Sequence, residues 1–271
     1  GMLTALEGQN LQSLKKGTAS AESITVSFWV YSNLTGTYAL ELFDVDNTRY
    51  NSISYTIDSA STWERKTLTF SGDTTGAFSD DNGESLRVHF FLGAGSDRSG
   101  GTFTSNVWHT TVANRYPSSG INLASSTSNV WYLTGVQMEV GSVATPFEYK
   151  TYGQELAACQ RYCQKLHGEV TNSMVSMQLC YSTTGSQGVL YYSKKRVAPT
   201  ITQYSAGATG WYLHYANTSS VVSAVPTFDM IDSTTCRITA LIAATSLNLG
   251  EAAYLRTGNA AGSYIIVDAE L

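Results

Sequence analysis

The chain has 271 residues, of which 42% are hydrophobic and only 14% charged, with a formal net charge of −5 and a pI near 5.3. A prior of roughly 100 to 200 residues per domain gives two domains. The acidic balance argues against nucleic acid, whose binding needs clustered Lys and Arg to neutralise phosphates, and no run of about 18 apolar residues is present to form a membrane-spanning helix.

With charge below the usual share of about 25%, Ser, Thr, Gly, Asn and Tyr must cover the surface, the texture of a β-rich extracellular or virion protein. The short basic runs Lys15-Lys16 and Lys194-Lys195-Arg196 are expected at solvated strand ends or turns. The first residues lack the order of a signal peptide. Gly1-Met2 reads as a short addition before a start, so the natural chain is expected to begin at Met2 or upstream.

In chain order, Ile24, Val26, Phe28 and Val30 alternate with Thr25, Ser27, Trp29 and Tyr31, and after a turn at 33–36, Tyr38, Leu40 and Leu42 alternate with Ala39, Glu41 and Phe43. Period two over this length predicts strands. Further strands are predicted at 50–57, 64–70, 86–92 and 129–140, separated by turn-forming Asp, Asn, Gly and Ser. Strands at this spacing without helices between them point to a sandwich or jelly roll. The polar stretch 99–128, which holds Trp108, His109 and Pro117, is expected to be a loop laid over that sandwich.

At Tyr152 the pattern changes. Leu156, Cys159, Cys163 and Leu166 fall on one stripe, which predicts a helix from Tyr152 to Leu166 ended by Gly168. Strands are then predicted at 173–181, 188–192, 200–204, 211–215, 227–230, 234–242, 252–255 and 263–269. The organisation read from the sequence is an all-β chain: a jelly-roll β-sandwich over 1–150, a linking helix over 151–168 and a β-sandwich-like distal domain over 169–271.

The four cysteines, Cys159, Cys163, Cys180 and Cys236, are too sparse for a disulfide framework. Cys159 and Cys163 offer half a metal site, but no nearby His completes a zinc spacing, and buried free thiols are expected instead. Asp44, Asp46 and Asn47 could nucleate a Ca²⁺ loop, because hard cations take clustered oxygens, but the string lacks the full loop pattern. No other cofactor is expected.

For catalysis, a glycosidase needs two carboxylates flanking one bond, and Glu41 with Glu139 is the pair that strands would present. Nucleophile-elbow, phosphate-loop and zinc-protease motifs are absent from the sequence, and no enzymatic activity is expected. Glycan binding needs exposed aromatic faces with polar partners in a concave site. Trp29, Tyr31, Glu41, Phe43, His89 and Phe91 are expected on one strand face that meets this description, the alternative being that these aromatics fill a core layer. Tyr192, Trp211 and His214, with Tyr191, Tyr204, Tyr212 and Tyr215, form a second candidate set, its alternative being a trimer interface or hairpin packing.

The run Tyr132-Leu133-Thr134-Gly135-Val136-Gln137-Met138-Glu139-Val140-Gly141-Ser142-Val143-Ala144-Thr145-Pro146-Phe147-Glu148, followed by Tyr152-Gly153-Gln154-Glu155-Leu156 and Cys159-Gln160-Arg161-Tyr162, resembles a signature of phage tail-fibre and virion structural proteins. There it closes a carbohydrate-binding-module-like jelly roll and opens the next domain. Glu7 to Asn10, Ser27 to Val30, Thr62 to Glu64 and Gly72 to Gly76 are similar to the same family, as are Lys194 to Thr200 and the terminal Asp268 to Leu271 with its distal domain. The resemblance implies a non-catalytic virion protein of the tail, assembled in the host cytoplasm, usually a homotrimer, that contacts a host-surface glycan or other receptor and neighbouring tail proteins. A free-standing carbohydrate-binding module or lectin is the alternative, followed by a polysaccharide depolymerase.

Read physically, Gly135 shifts the strand alternation as a bulge would, Pro146 ends the pairing, and Phe147 is expected to pack against the first domain.

Overall fold

The computed structural model of the chain describes residues 1–167, 172–205, 210–243, 245–258 and 263–270. It divides into two compact units, Gly1–Tyr149 and Lys150–Glu270. Among the described residues no helix is long and apolar enough to cross a membrane.

The first unit is a β-sandwich. One sheet has the order β1-β6-β3-β4, formed by β1 (Met2–Glu7), β3 (Gly36–Asp44), β4 (Arg49–Ile57) and β6 (Glu84–Phe91); the other has the order β5-β2-β7, formed by β2 (Ile24–Ser32), β5 (Glu64–Phe70) and β7 (Trp131–Val140). All neighbours pair antiparallel. The period-two pattern works as the sequence suggests: Val26, Phe28 and Val30 from β2 meet Tyr38, Leu40 and Leu42 from β3 and Leu86, Val88 and Phe90 from β6 in one buried core. Each fully buried aliphatic or aromatic side chain there contributes about 1.5–3 kcal/mol. The edge strand β1 has no counterpart in the sequence reading.

Gly135 does form a bulge. Ser27 pairs with Gln137 but Trp29 with Thr134, so β7 carries one more residue than β2 between those pairs, and Gly135 takes φ +58°. Glycine reaches this left-handed region without the Cβ clash that costs other residues about 1–2 kcal/mol.

The loop after β6 lies on the outer face of the first sheet. Tyr50 and His109 exchange backbone hydrogen bonds, Asn106 N–H donates to Ser52 O, Ile121 N–H to Thr37 O and Leu123 N–H to Leu92 O. Beneath it, Arg115 donates from Nε and Nη2 to the two carboxylate oxygens of fully buried Glu41 at 2.7 and 2.5 Å. Its guanidinium stacks on Tyr50 at 4.1 Å.

The second unit opens with the helix Tyr152–Gln160, begun by a capping box in which the Thr151 hydroxyl accepts from Gln154 N–H and Thr151 N–H donates back to the Gln154 side chain. The helix stops six residues before Leu166, contrary to the stripe in the sequence. Residues Cys163–Leu166 are instead strand β8, paired with β17 (Tyr264–Asp268). The helical segment is nowhere buried, so its apolar stripe gains little, and strand pairing claims the residues after it. Gly168, the expected terminator, lies outside the described residues.

A seven-stranded sheet of order β13-β12-β16-β9-β10-β15-β14 follows, built from β9 (Met174–Cys180), β10 (Gly185–Tyr191), β12 (Trp211–Tyr215), β13 (Thr218–Val221), β14 (Thr227–Asp229), β15 (Thr235–Leu241) and β16 (Ala252–Thr257). A three-stranded sheet, with β11 (Thr200–Tyr204) and β8 on either side of β17, packs on it through Ile201, Leu166, Ile265 and Val267. The unit is thus a second β-sandwich-like body.

Two of the lysines expected in solvent are buried. Lys16 sits between Asp44 at 2.5 Å and Asp73 at 3.2 Å, and Lys195 donates to Gln160 O at 2.5 Å. Cys180 and Cys236 are buried thiols, Cys163 is half-buried, and Cys159 is exposed, against expectation.

Candidate functional site

Alternation separates the outward residues of a sandwich from the inward ones but does not say which sheet carries them, and here that decides the site. The six residues expected on one face of the first unit belong to two different sheets on opposite sides of the core. Glu41, Phe43, His89 and Phe91 lie on the outside of β3 and β6, whereas Trp29 and Tyr31 lie on the outside of β2.

The first group is largely covered, its opening being a cavity of 370 Å³ that His89 and Phe91 line with Gly93 and Arg98. Besides Arg115, Glu41 is approached by His89 Nδ1 at 3.5 Å and accepts from Ser52 Oγ at 3.3 Å. Burial would raise the Glu41 pKa, but the hydrogen bonds from Arg115 and His89 outweigh it and hold the carboxyl below its ordinary value. His89 and Phe91 are buried, with ring centroids 4.1 Å apart. This cluster anchors the covering loop. Glu139 is on the exterior of the other sheet, bonded to the Thr145 hydroxyl and N–H, so Glu41 and Glu139 do not face one bond and the catalytic pair is not assembled.

The proposed Ca²⁺ loop is likewise engaged. Asp44 is ion-paired with Lys16 and accepts from Asn47, while Asp46 accepts from Ser79 N–H. The Lys16 ammonium takes the Asp44 carboxylate together with Asp73, and Asp46 is not part of that set.

The second group is open. Trp29 and Tyr31 share the outer face of the β5-β2-β7 sheet with two aromatics that the sequence reading did not nominate, Trp63 and Tyr132. Tyr31 lies 5.6 Å from the Trp63 ring and 5.5 Å from the Tyr132 ring. Trp29, Trp63 and Tyr132 are 43%, 44% and 53% exposed, an expensive arrangement for large apolar rings unless something else covers them. Tyr132 is directly opposite Tyr31 in the ladder; Trp63 sits just before β5, where no strand pattern marks it. Arg65, Thr67 and Thr134, cross-strand neighbours of Trp29 and Ser27, add polar groups to the same face.

The segment after β7 completes this surface. Gln137 Nε2 donates to Thr145 Oγ1 and Pro146 O, its Oε1 accepts from Glu148 N–H, and Glu139 binds Thr145. The Thr145 hydroxyl, with Gln137, holds the Glu139 carboxyl below its usual pKa. These bonds set Phe147 over Gly135, where a Cβ would stand 3.3 Å from Trp29 Cδ1 and 4.0 Å from Phe147 Cδ2. Phe147 and exposed Tyr149 meet edge to face at 5.0 Å. Replacing Gly135 with Val should strain the bulge and push Trp29 aside, lowering the melting temperature of the first unit by several degrees, about 1–2 kcal/mol, as calorimetry would show.

In the second unit, Tyr192 and Trp211 are core. The Tyr192 hydroxyl donates to the Asp232 and Thr235 carbonyls, and Trp211 Nε1 donates to Gln203. Neither presents a ring to solvent. His214 is half-buried, bonded to Ser219 Oγ at 2.7 Å and packed on Tyr254. The Cys163 thiol is pushed up by burial and by nearby Asp268 and Glu270, which disfavours a thiolate.

No protein-family model matches the chain, and no curated protein matches it. Among solved structures, discoidin II of Dictyostelium discoideum is similar at 10% identity, with 93% of this chain and 75% of that one covered and a TM-score of 0.20. At that TM-score the likeness carries no argument, and the reading of the site rests on its own geometry.

Proposed function

We propose that the first unit binds glycan through the outer face of its β5-β2-β7 sheet, without catalysis. The observation that carries this is the cluster of exposed Trp29, Trp63 and Tyr132 around half-buried Tyr31, backed by the sheet and fringed by Arg65, Thr67 and Thr134. Aromatic faces stack on the C–H groups of a sugar while neighbouring polar groups bond its hydroxyls. Strands β2 and β7 hold Trp29, Tyr31 and Tyr132 without the entropy cost that mobile loops would add.

The resemblance extends this reading to a phage tail-fibre or tail-associated virion protein that brings the face to a host-surface glycan and assembles with other copies, in the family commonly as a trimer, and with other tail proteins. A glycan array with the whole chain, followed by titration of any glycan bound, tests the binding reading. Tyr132→Ala and Trp63→Ala should each weaken binding at least tenfold, about 1.4 kcal/mol or more, with the circular dichroism spectrum unchanged. Full retention of affinity in both variants, or a wild-type chain that binds no glycan, would remove the proposal.

A further inference from the structure

The 370 Å³ cavity at the end of the covered sheet holds polar groups that the fold leaves unused. Its floor is the buried pair His89 and Phe91, its rim is exposed Asp97 and Arg98, and between them lie Gly93 and Gly95, which put no side chain into the space.

Each polar group is held in place from behind and unpaired in front. His89 turns Nδ1 to the Glu41 carboxylate at 3.5 Å. A carboxylate only accepts, so Nδ1 carries the hydrogen and Nε2 is left as an acceptor. No group of the chain bonds Nε2, which faces Gly1 on the cavity wall; a Cβ at Gly1 would collide with it. The backbone of Arg98 is clamped: its N–H donates to Gly95 O at 3.0 Å, and its carbonyl accepts from Arg115 N–H at 3.1 Å and Tyr116 N–H at 2.9 Å. Its guanidinium makes no hydrogen bond or ion pair among the described residues, and neither does the Asp97 carboxylate.

We propose that this cavity binds a sugar acid, a small ring that carries a carboxylate beside several hydroxyls. The Arg98 fork matches a carboxylate in geometry and charge. Asp97 and His89 Nε2 are both acceptors and call for hydroxyl donors. A simple carboxylate would meet repulsion from Asp97 with no hydroxyl to offset it, and a neutral sugar would leave the guanidinium unpaired, so the set discriminates against both. The volume is in the range of small-ligand pockets, roughly 300–1,000 Å³. Because Glu41 and the covering loop already fix His89 and Arg98, little ordering is left for the ligand to impose. The site is separate from the aromatic face, which belongs to the opposite sheet.

The test is an NMR titration of the whole chain with D-glucuronate, D-glucose and acetate, following the His89 imidazole signals. Glucuronate should shift them saturably at millimolar concentration, with glucose and acetate weaker by about tenfold or more. Arg98→Ala, a change at an exposed side chain, should weaken glucuronate by about tenfold, and Asp97→Ala should narrow the gap between glucuronate and acetate. A wild type whose His89 signals do not respond to glucuronate, equal binding of acetate or glucose, or undiminished binding in folded Arg98→Ala would overturn the assignment. Tyr132→Ala separates the two sites: it should leave glucuronate binding intact, and loss of that binding would place the ligand on the aromatic face instead.

Discussion

Replacing Arg115 with Ala should destabilise the first unit by about 3–5 kcal/mol, because it strands the fully buried Glu41 carboxylate without its partner. Denaturant unfolding of the whole chain, with Trp fluorescence as the probe, would show an earlier transition. The pH dependence should change as well. In the wild type the Glu41 pKa is held below its unfolded value, so its stabilisation is present above that unfolded value, about 4.3, and is lost as pH falls through the folded pKa. Without Arg115 the first-named interaction that lowers the Glu41 pKa is gone and burial pushes the folded value up, so the loss of stability relative to the wild type should be larger at pH 7 than at pH 4.

Adding Glu41→Gln to the variant should recover much of the loss by removing the buried charge. An Arg115→Ala protein as stable as the wild type at pH 7 would show that Glu41 reaches water and that the loop is not anchored there. Glycan binding by the folded variant should persist, since the aromatic face belongs to the opposite sheet.

Removing the Lys16 ammonium should be comparably costly. Lys16 Nζ contacts Asp44 at 2.5 Å and Asp73 at 3.2 Å, donates to the Thr75 and Gly76 carbonyls at 2.8 Å each, and lies over the Phe78 and Trp108 rings. Asp73 keeps its bonds from Arg49, but in Lys16→Ala the buried Asp44 carboxylate keeps only Asn47. A loss of about 3–5 kcal/mol is expected.

The emptied cage would retain two carboxylates and two carbonyls, a hard-oxygen set. Millimolar Ca²⁺ should therefore raise the melting temperature of Lys16→Ala and leave that of the wild type unchanged. If Ca²⁺ stabilises both proteins equally, its site lies elsewhere. Trp108 fluorescence should report the same change, because its indole N–H donates to Ser71 O beside this cage.

Which residues point inward was legible from the sequence. Val26, Phe28, Val30, Leu40 and Leu42 recur at every second position, and a strand has only two sides, so the all-β character and the core of the first unit follow from local pattern alone. The bulge at Gly135 was legible too, since only a break in alternation accommodates that glycine. What period two leaves open is the partner of each strand. Glu41 and Trp29 both read as outward, and only the pairing of β2 with β5 and β7, and of β3 with β4 and β6, puts one beneath a loop and the other in solvent.

The same long-range pairing turned Cys163–Leu166 from helix into strand, because β17 lies about a hundred residues downstream in sequence. It also drew Lys16 into the interior, where Asp44 and Asp73 compensate a charge that looks solvated when read locally. Tyr132 joined Tyr31 for the same reason. Sequence alone determined which side chains have an inside and an outside; the aromatic face and the buried ion pairs exist only because pairing between distant strands chose which of those outsides would remain exposed.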